Sequence, residues 1–167
     1  VWHSQSDANI GEDASFISEA ENHWEMVITH HQGQVTLSIR GPETVATSAP
    51  VPENAEFFGI VFKHGTFLSN ISKKQLVNDA IHLSGASGEK FWLHGNSWEI
   101  PTFENADSFI SRLVHDGTLV YDPIVDAVLN NQPPDVSQRT LQRRFLQATG
   151  LTQGTFIQID RAKQAVT

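Results

Sequence analysis

The feature that most constrains this chain is a short helix with a defined start and end near the C-terminus, in the stretch Asp135-Val-Ser-Gln-Arg-Thr-Leu-Gln-Arg-Arg-Phe-Leu-Gln-Ala-Thr-Gly150. Ser137 is a favourable N-cap, because its hydroxyl can accept a hydrogen bond from an unpaired backbone N–H of the first turn. Gly150 can take the left-handed conformation that ends a helix, and Leu151 supplies the apolar contact that often follows. These local signals predict a helix between Ser137 and Gly150.

The side chains of this predicted helix divide into two faces when successive residues are placed about 100° apart. An apolar face is expected to pack on a core and contains Leu141, Phe145 and Ala148. The opposite face carries long hydrogen-bond donors, namely Arg139, Gln142 and Arg143. In a DNA major groove, Arg pairs bidentately with guanine and Gln with adenine. The donor face therefore predicts base recognition, and the alternative is a solvated helix face without a partner.

A second helix is predicted at 153–166, after the tight corner Thr149-Gly-Leu-Thr152. The word Ser-x-Arg-Thr-Leu-Gln-Arg-Arg-Phe-x-x-x-Thr-Gly-Leu-Thr, followed by Arg161-Ala-Lys-x-Ala165, resembles the first helix-turn-helix of AraC-family transcription regulators and the linker helix after it. The resemblance implies that Ser137 opens the recognition helix. It implies DNA contacts by five side chains: Gln138, Arg139, Gln142, Arg143 and Arg144.

The positions of two residues in these helices, Arg144 and Ile157, lead to more specific expectations. Arg144 lies about 100° around the helix from Arg143, on the flank of the apolar face, so it should reach a phosphate or an acidic neighbour rather than a base. In the second helix, Ile157 lies off the stripe formed by Phe156, Ile159 and Val166. We therefore expect Ile157 to be more exposed here than in a complete protein.

Alternating apolar residues predict strands in the first part of the chain. The stretches on either side of Gln32-Gly33 alternate apolar and polar residues, which is typical of a β-hairpin over 24–40. A further strand is predicted at 57–63, with Phe58, Ile60 and Phe62 pointing inward. Several short strands separated by frequent turns favour an antiparallel barrel or sandwich.

Short motifs in this region carry a second, less specific resemblance. They are Trp24-Glu-Met, Arg40-Gly-Pro-Glu-Thr44, Phe58-Gly-Ile, Lys63-His-Gly-Thr-Phe67, Phe91-Trp-Leu and Glu104-Asn-Ala-Asp107. They resemble the β-rich, cupin-like domain found upstream of some bacterial AraC-type DNA-binding regions. That resemblance implies a small β-barrel that senses an effector or oligomerises, so a small-molecule effector and a homodimer are open as partners.

Three side chains of this region are candidates for binding a ligand. If the barrel has an open mouth, Trp24, Arg40 and Trp98 could line it. The alternative for the two tryptophans is an ordinary place in the apolar core.

After residue 100 the apolar spacing becomes helical. One helix is predicted between Thr102, as its N-cap, and Gly117. Its apolar stripe consists of Phe103, Ala106, Phe109, Ile110 and Leu113. Asp122 is predicted to cap a second helix, with Pro123 at the first helical position, where its missing N–H has no cost.

The predicted fold class is α+β, in two parts. Residues 1–117 are expected to form an antiparallel β-barrel or cupin-like domain that ends with a closing helix. Residues 118–167 are expected to form an all-α helix-turn-helix segment. We expect this segment to be a truncated, partial AraC-type DNA-binding region, because the family has a second helix-turn-helix that does not lie within these residues.

Charge is distributed unevenly along the chain, whose formal net charge is −8. Residues 137–167 hold five Lys and Arg against Asp160 alone, a balance of +4, whereas residues 1–136 hold six against eighteen Asp and Glu, a balance of −12. A basic end on an acidic body is typical of a DNA-reading module joined to a domain that does not bind DNA.

Other functional classes find little support in the sequence. There is no Cys, and no His-x-His occurs among the eight His, since His30 and His31 are adjacent and should point to opposite faces of a strand. No Gly-x-Ser-x-Gly or glycine-rich phosphate loop occurs. No apolar run or signal-peptide pattern indicates a membrane or secretion. We expect neither an enzyme nor a bound metal or cofactor.

These observations predict a transcription regulator in a bacterial cytoplasm that binds double-stranded DNA, in the complete protein, through a helix-turn-helix. Its N-terminal domain is expected to sense an effector or to dimerise. The main alternative is a cupin-like small-molecule-binding or isomerase-type protein with a helical appendix, and a third is a purely dimerising module.

Overall fold

A computed structural model describes residues 1–7, 11, 14–86, 89–132 and 134–166. Within these residues the chain forms twelve strands, one 3₁₀ helix and four α-helices. The strands are β1 (Trp2–Gln5), β2 (Ser15–Ser18), β3 (Glu25–His31), β4 (Gln34–Arg40), β5 (Thr47–Pro50), β6 (Glu56–Val61), β7 (Thr66–Leu68), β8 (Ala80–Leu83), β9 (Gly85–Ala86), β10 (Lys90–Leu93), β11 (Asn96–Glu99) and β12 (Leu119–Tyr121). The helices are the 3₁₀ helix Lys73–Leu76, α1 (Ala106–His115), α2 (Pro123–Leu129), α3 (Gln138–Thr149) and α4 (Gln153–Val166).

The largest sheet has five antiparallel strands in the order β1-β6-β3-β4-β8. Its centre is the predicted hairpin, in which Met26 lies opposite Ile39 and Ile28 opposite Leu37. Gln32 and Gly33 join the two strands with φ values of 51° and 75°. A two-residue hairpin turn with positive φ at both positions matches the right-handed twist of the strands it connects. The hairpin prediction is therefore confirmed.

The remaining described strands form one three-stranded and two two-stranded sheets: β11-β10-β9, β12-β7 and β2-β5. The α+β class and the antiparallel sheet are confirmed. The described strands do not close into one barrel, because β1 and β8 stand at the two edges of the largest sheet. Local alternation predicts strands well, but it does not determine whether the end strands of a sheet meet.

One face of the five-stranded sheet forms the main core. The predicted inward side chains Phe58, Ile60 and Phe62 are buried there, together with Met26 and Ile28. Helix α1 contributes to this core, and the ring centroid of Phe109 lies 6.2 Å from those of Phe91 in β10 and Trp98 in β11. Burial of these large apolar side chains is the main contribution to the stability of this part of the molecule.

Helix α1 begins later than the sequence indicated. The backbone N–H of Thr102 donates to Oδ1 of Asn105 at 2.8 Å, which forms a turn before the helix starts at Ala106. Phe103 lies in that turn and is 60% exposed, so its predicted place in the buried stripe is wrong. Ala106, Phe109 and Leu113 are buried as predicted.

A second, smaller core joins the C-terminal helices. It consists of Val125 from α2, Phe145 and Ala148 from α3, and Leu151, Phe156 and Ile159 in and before α4. Phe67 of β7 packs against this core, and β7 pairs with β12. The described part of the chain after residue 117 has three helices joined by short connectors, but it also contains β12, which joins it to the sheets, so the expectation that 118–167 is all-α is wrong. No helix among the described residues is long and apolar enough to cross a membrane.

Candidate nucleic-acid interface

Helix α3 begins and ends where its sequence predicts. The hydroxyl of Ser137 accepts a hydrogen bond from the backbone N–H of Thr140 at 3.2 Å. At the other end, Gly150 is left-handed with a φ of 77°, and its N–H donates to the carbonyl of Leu146 at 2.9 Å. Each cap satisfies a backbone group that an uncapped helix would leave without a partner.

The corner between α3 and α4 is held by threonine side chains. The hydroxyl of Thr149, which is buried, donates to the carbonyl of Phe145 at 2.8 Å and accepts from the N–H of Leu151 at 3.1 Å. The hydroxyl of Thr152 accepts from the N–H of Thr155 at 3.1 Å and so caps the start of α4. These bonds fix the direction in which α4 leaves the corner.

The apolar face of α3 is buried as predicted at Phe145 and Ala148, while Leu141 is half-buried. Phe145 is 1% exposed, and its ring meets that of Phe156 edge to face with 5.4 Å between the ring centroids. This pair anchors α3 against α4. In α4, Ile157 is 38% exposed while Phe156 and Ile159 are buried, so Ile157 is not fully covered within this chain. That it is more covered in a complete protein stays a prediction.

The donor face of α3 points into solvent. Its exposed side chains are Gln138, Arg139, Gln142 and Arg143. Four of the five predicted DNA-contacting residues are therefore exposed, and the helical spacing places three of them, Arg139, Gln142 and Arg143, within about 100° on one face. All four carry long side chains with N–H donors that can reach into a groove.

Arg144 lies away from this face, and its partner is acidic. Its Nε donates to Oδ2 of Asp122 at 2.8 Å. Asp122 is buried, and its other oxygen, Oδ1, accepts from the N–H of Ile124 at 3.0 Å and caps α2. One carboxylate therefore connects the start of α2 to the middle of α3. Of the two partners predicted for Arg144, the structure shows the acidic neighbour.

The position of Asp122 is fixed by the sheet. Asp122 directly follows β12, and Gly65 directly precedes β7, the strand with which β12 pairs. The backbone N–H of Asp122 donates to the carbonyl of Gly65 at 2.8 Å. An added Cβ at Gly65 would lie 2.9 Å from the carbonyl oxygen of Asp122, and Gly65 has a φ of 84°. A larger residue at this position would therefore be strained and too close. The orientation of α3 is thus tied to the sheet through Asp122.

Helix α4 is tied to the N-terminal part by a second ion pair. Lys163 donates to Glu21, and Glu21 also contacts Nδ1 of His23 at 3.1 Å. Nearby, Nε2 of His64 lies 3.2 Å from Oδ1 of Asn22, and the ring of His64 meets that of Phe156 edge to face at 4.9 Å. Burial lowers the pKa of both His23 and His64 below the ordinary value of 6.5.

The ion pairs reduce the positive charge that is open to a ligand. Two of the five basic side chains of residues 137–167, Arg144 and Lys163, are paired with carboxylates. Arg139, Arg143 and Arg161 are exposed and have no salt bridge to any residue that the structure describes. Two of these three arginines lie on the donor face of α3.

The three ligand-binding candidates are not brought together. Trp24 and Trp98 are buried in the core, and Nε1 of Trp98 donates to the carbonyl of Leu93 at 3.2 Å. Arg40 lies opposite Glu25 in the hairpin, and adjacent residues of a strand point to opposite faces, so Arg40 and Trp24 are on opposite sides of the sheet. Arg40 pairs with Oε1 of Glu43 at 2.6 Å.

Within the described part of the chain, no three His, Asp or Glu side chains are placed to hold a metal ion. No protein-family model matches this chain, and neither does any curated protein or solved structure. The function is therefore inferred from the geometry of α3 together with the motif at 137–165.

The sequence did not indicate which ion pairs hold the helices in place. Asp122 could be recognised as a cap because it precedes Pro123, but nothing local marks its bond to Arg144. Glu21 and Lys163 are 142 positions apart, and no local pattern connects them. Only the charge of each residue was visible in the sequence, not its partner.

Proposed function

We propose that this protein is a bacterial, cytoplasmic transcription regulator of the AraC type, which binds double-stranded DNA with α3 in the major groove. The N-terminal part, related on this proposal to cupin-like domains, senses an effector or dimerises. The observation that carries the proposal is the open donor face of α3. Arg139, Gln142 and Arg143 share one face, and with the exposed Gln138 they project from a helix that is capped at both ends and anchored by a buried aromatic residue.

A helix with this geometry suits base recognition because its rigid anchor lies on the side opposite the donors. Phe145 fixes α3 against α4, and the bond between Arg144 and Asp122 fixes it against α2 and β12. Side chains on a rigid element lose less conformational freedom when they bind than those on a mobile one. Arg139 and Arg143 can each reach a guanine edge or a phosphate, and the two glutamines can reach an adenine edge.

The open charge sets the expected strength of DNA binding. Three unpaired arginines, Arg139, Arg143 and Arg161, can replace about three counterions, which gives a slope of roughly −3 for the logarithm of affinity against the logarithm of salt concentration. The acidic remainder of the chain repels DNA. Affinity should therefore be modest at physiological salt and should rise steeply as salt is lowered.

The test is selection from a random-sequence duplex library at low salt, followed by anisotropy titrations with an enriched duplex and a shuffled duplex. We expect enrichment of a short motif and a loss of preference in the variant R139A/R143A. The matched control is R112A, which removes an exposed arginine from α1. If no motif is enriched, and R139A/R143A binds duplex DNA as the unaltered protein does, the proposal is wrong.

A further inference from the structure

A cavity of about 620 Å³ opens at one end of the five-stranded sheet, on the same face as the main core. The register explains its composition, because residues directly opposite in antiparallel strands share a face. His3 lies opposite Phe58, and His30 lies opposite both Glu56 and Val35. All five side chains line the cavity, and buried Phe58 forms its floor.

The opposite wall is the segment 100–104 that leads into α1. Two hydrogen bonds hold this wall in place. The N–H of Ile100 donates to the carbonyl of Glu89 at 3.0 Å, and the N–H of Thr102 donates to Oδ1 of Asn105 at 2.8 Å. The wall is therefore formed before any ligand is bound.

Two exposed apolar side chains flank this cavity. Phe103 is the most exposed aromatic residue of the described chain that contacts the core, and its ring stands edge to face on Phe58 with 6.2 Å between the ring centroids. Val35 is 43% exposed, although it follows the pattern of the buried side of β4. Both lie where a bound apolar group would cover them.

The described lining is acidic as well as aromatic. It contains three carboxylates, Glu56, Glu89 and Glu104, and no Lys or Arg. Glu56 shares a 2.7 Å hydrogen bond with His3. The pKa of Glu104 is lowered, because its carboxylate accepts hydrogen bonds from its own backbone N–H and from Thr102. The rim thus carries negative charge that no lysine or arginine of the lining balances.

We propose that this cavity binds an organic cation with an apolar body, such as an arylalkylammonium or an amidinium. Phe58, Ile100 and Val35 take the apolar body, and the carboxylates of Glu89 and Glu104 take the cationic head. The ring of Phe103 contributes a cation–π contact at the mouth. The carboxylates would repel an organic anion. A wholly apolar ligand would bury the carboxylates without forming an ion pair or hydrogen bond with them, which costs free energy. None of the donor residues of α3 lies in this lining, so the proposal is independent of DNA binding.

The binding test uses calorimetric titration of the whole chain with three cations: 2-phenylethylammonium, hexylammonium and benzamidinium. The neutral and anionic analogues are 2-phenylethanol and 3-phenylpropanoate. We expect saturable one-to-one binding of at least one cation, and about tenfold lower affinity for 2-phenylethanol than for 2-phenylethylammonium, because carboxylates at an exposed rim contribute modestly. Failure of all three cations to bind, or equal binding of 3-phenylpropanoate, overturns the proposal.

Variants then locate the site. E89Q/E104Q should lower the affinity for the bound cation severalfold and leave the weak binding of the neutral analogue unchanged. F103A should weaken both ligands. The matched controls are E19Q and F16A, which alter an exposed glutamate and an exposed phenylalanine outside this lining. If E89Q/E104Q binds the cation as tightly as E19Q does, the cation does not bind in this cavity.

Discussion

Helices α1 and α3 bury similar residues but expose very different ones. Helix α1 buries Phe109 and Leu113, and its exposed side chains include Asp107, Ser108, Ser111 and Arg112. Helix α3 buries Phe145 and Ala148, and its exposed side chains include four long donors and no acid. Apolar burial explains why both helices pack against the rest of the chain. The exposed face alone distinguishes a helix that only covers a core from one whose side chains can bind a partner.

The two helices also differ in how they are held. Helix α1 lies on the main core through aromatic contacts, and its exposed Arg112 lies near Trp98 and Glu99. Helix α3 has, in addition, the bond from Arg144 to buried Asp122. A charge-assisted hydrogen bond has a preferred direction, so the bond to Asp122 restrains the rotation of α3 about its axis in addition to apolar packing. Such a restriction is what a reading face requires, since the donors must be presented at a fixed angle.

The largest effect expected is that of F145A. Removing this ring should lower the free energy of unfolding by about 3–5 kcal/mol, because it leaves a cavity among α2, α3 and α4. The matched variant on α1 is F109A, which removes an equally buried ring from the main core. Urea unfolding measures both. A loss below about 1 kcal/mol for F145A, with a full loss for F109A, would show that Phe145 does not anchor α3.

If α3 reads DNA as proposed, base recognition gives the next largest effect. On the selected duplex, R143A should cost about 1–3 kcal/mol at one base-pair position and relax the preference there. R144A should instead weaken binding to matched and mismatched duplexes alike, because it removes the bond that orients α3. Titrations against single-position mismatches separate the two. A change of base preference in R144A but not in R143A would mean that a different face of α3 reads DNA.

The helix ends and the hairpin could be predicted because their causes are local. Ser137, Gly150 and the pair Gln32-Gly33 act on backbone groups within a few residues of themselves. The division of α3 into two faces follows in the same way from its apolar spacing, and the structure places Arg143 on the open face as that spacing predicts. These elements of fold and site needed no knowledge of the tertiary structure.

The failures of sequence reasoning have both local and long-range causes. The start of α1 depends on a local bond, which Oδ1 of Asn105 accepts from the N–H of Thr102, whereas closure of a barrel depends on whether the distant strands β1 and β8 meet. The separation of Arg40 from the buried tryptophans was implicit in strand alternation, once the register of the hairpin was known. From the sequence, the expected partner of Arg144 was either a phosphate or an acidic side chain. Only the tertiary structure identifies that partner as Asp122.

Asp122 offers a smaller and sharper test of how α3 is held. D122A removes both the cap of α2 and the partner of Arg144, and it should lower the free energy of unfolding by about 1–2 kcal/mol. D122N keeps an oxygen for the cap and removes the charge, so it should cost less. Thermal melting of D122A, R144A and the double variant gives the coupling energy between the two residues. Strict additivity would show that the bond contributes nothing to stability.

The smallest effect expected is a dependence of stability on pH at the contact between α4 and the N-terminal part. Burial lowers the pKa of His64 and His23 in the folded protein, while the unfolded chain has the ordinary value of 6.5. Between the lowered values and 6.5 the unfolded chain binds more protons, so stability should fall as the pH drops below about 6.5. Charged groups near His64 moderate the shift: Asp160, Asp126 and Glu21 favour its protonated form, and Lys163 opposes it.

The measurement is urea unfolding at about pH 7.5 and about pH 5.5. H64Q should show a smaller loss between the two pH values than the unaltered protein, because its side chain does not titrate. The control is H115Q, which changes an exposed histidine at the end of α1. Helix α1 has no buried histidine at its contact with the core, so H115Q should keep the full dependence. Equal pH dependence of stability in H64Q and H115Q would show that His64 is not the source of that dependence. The lowered pKa of His23 would then have to account for the loss of stability at low pH.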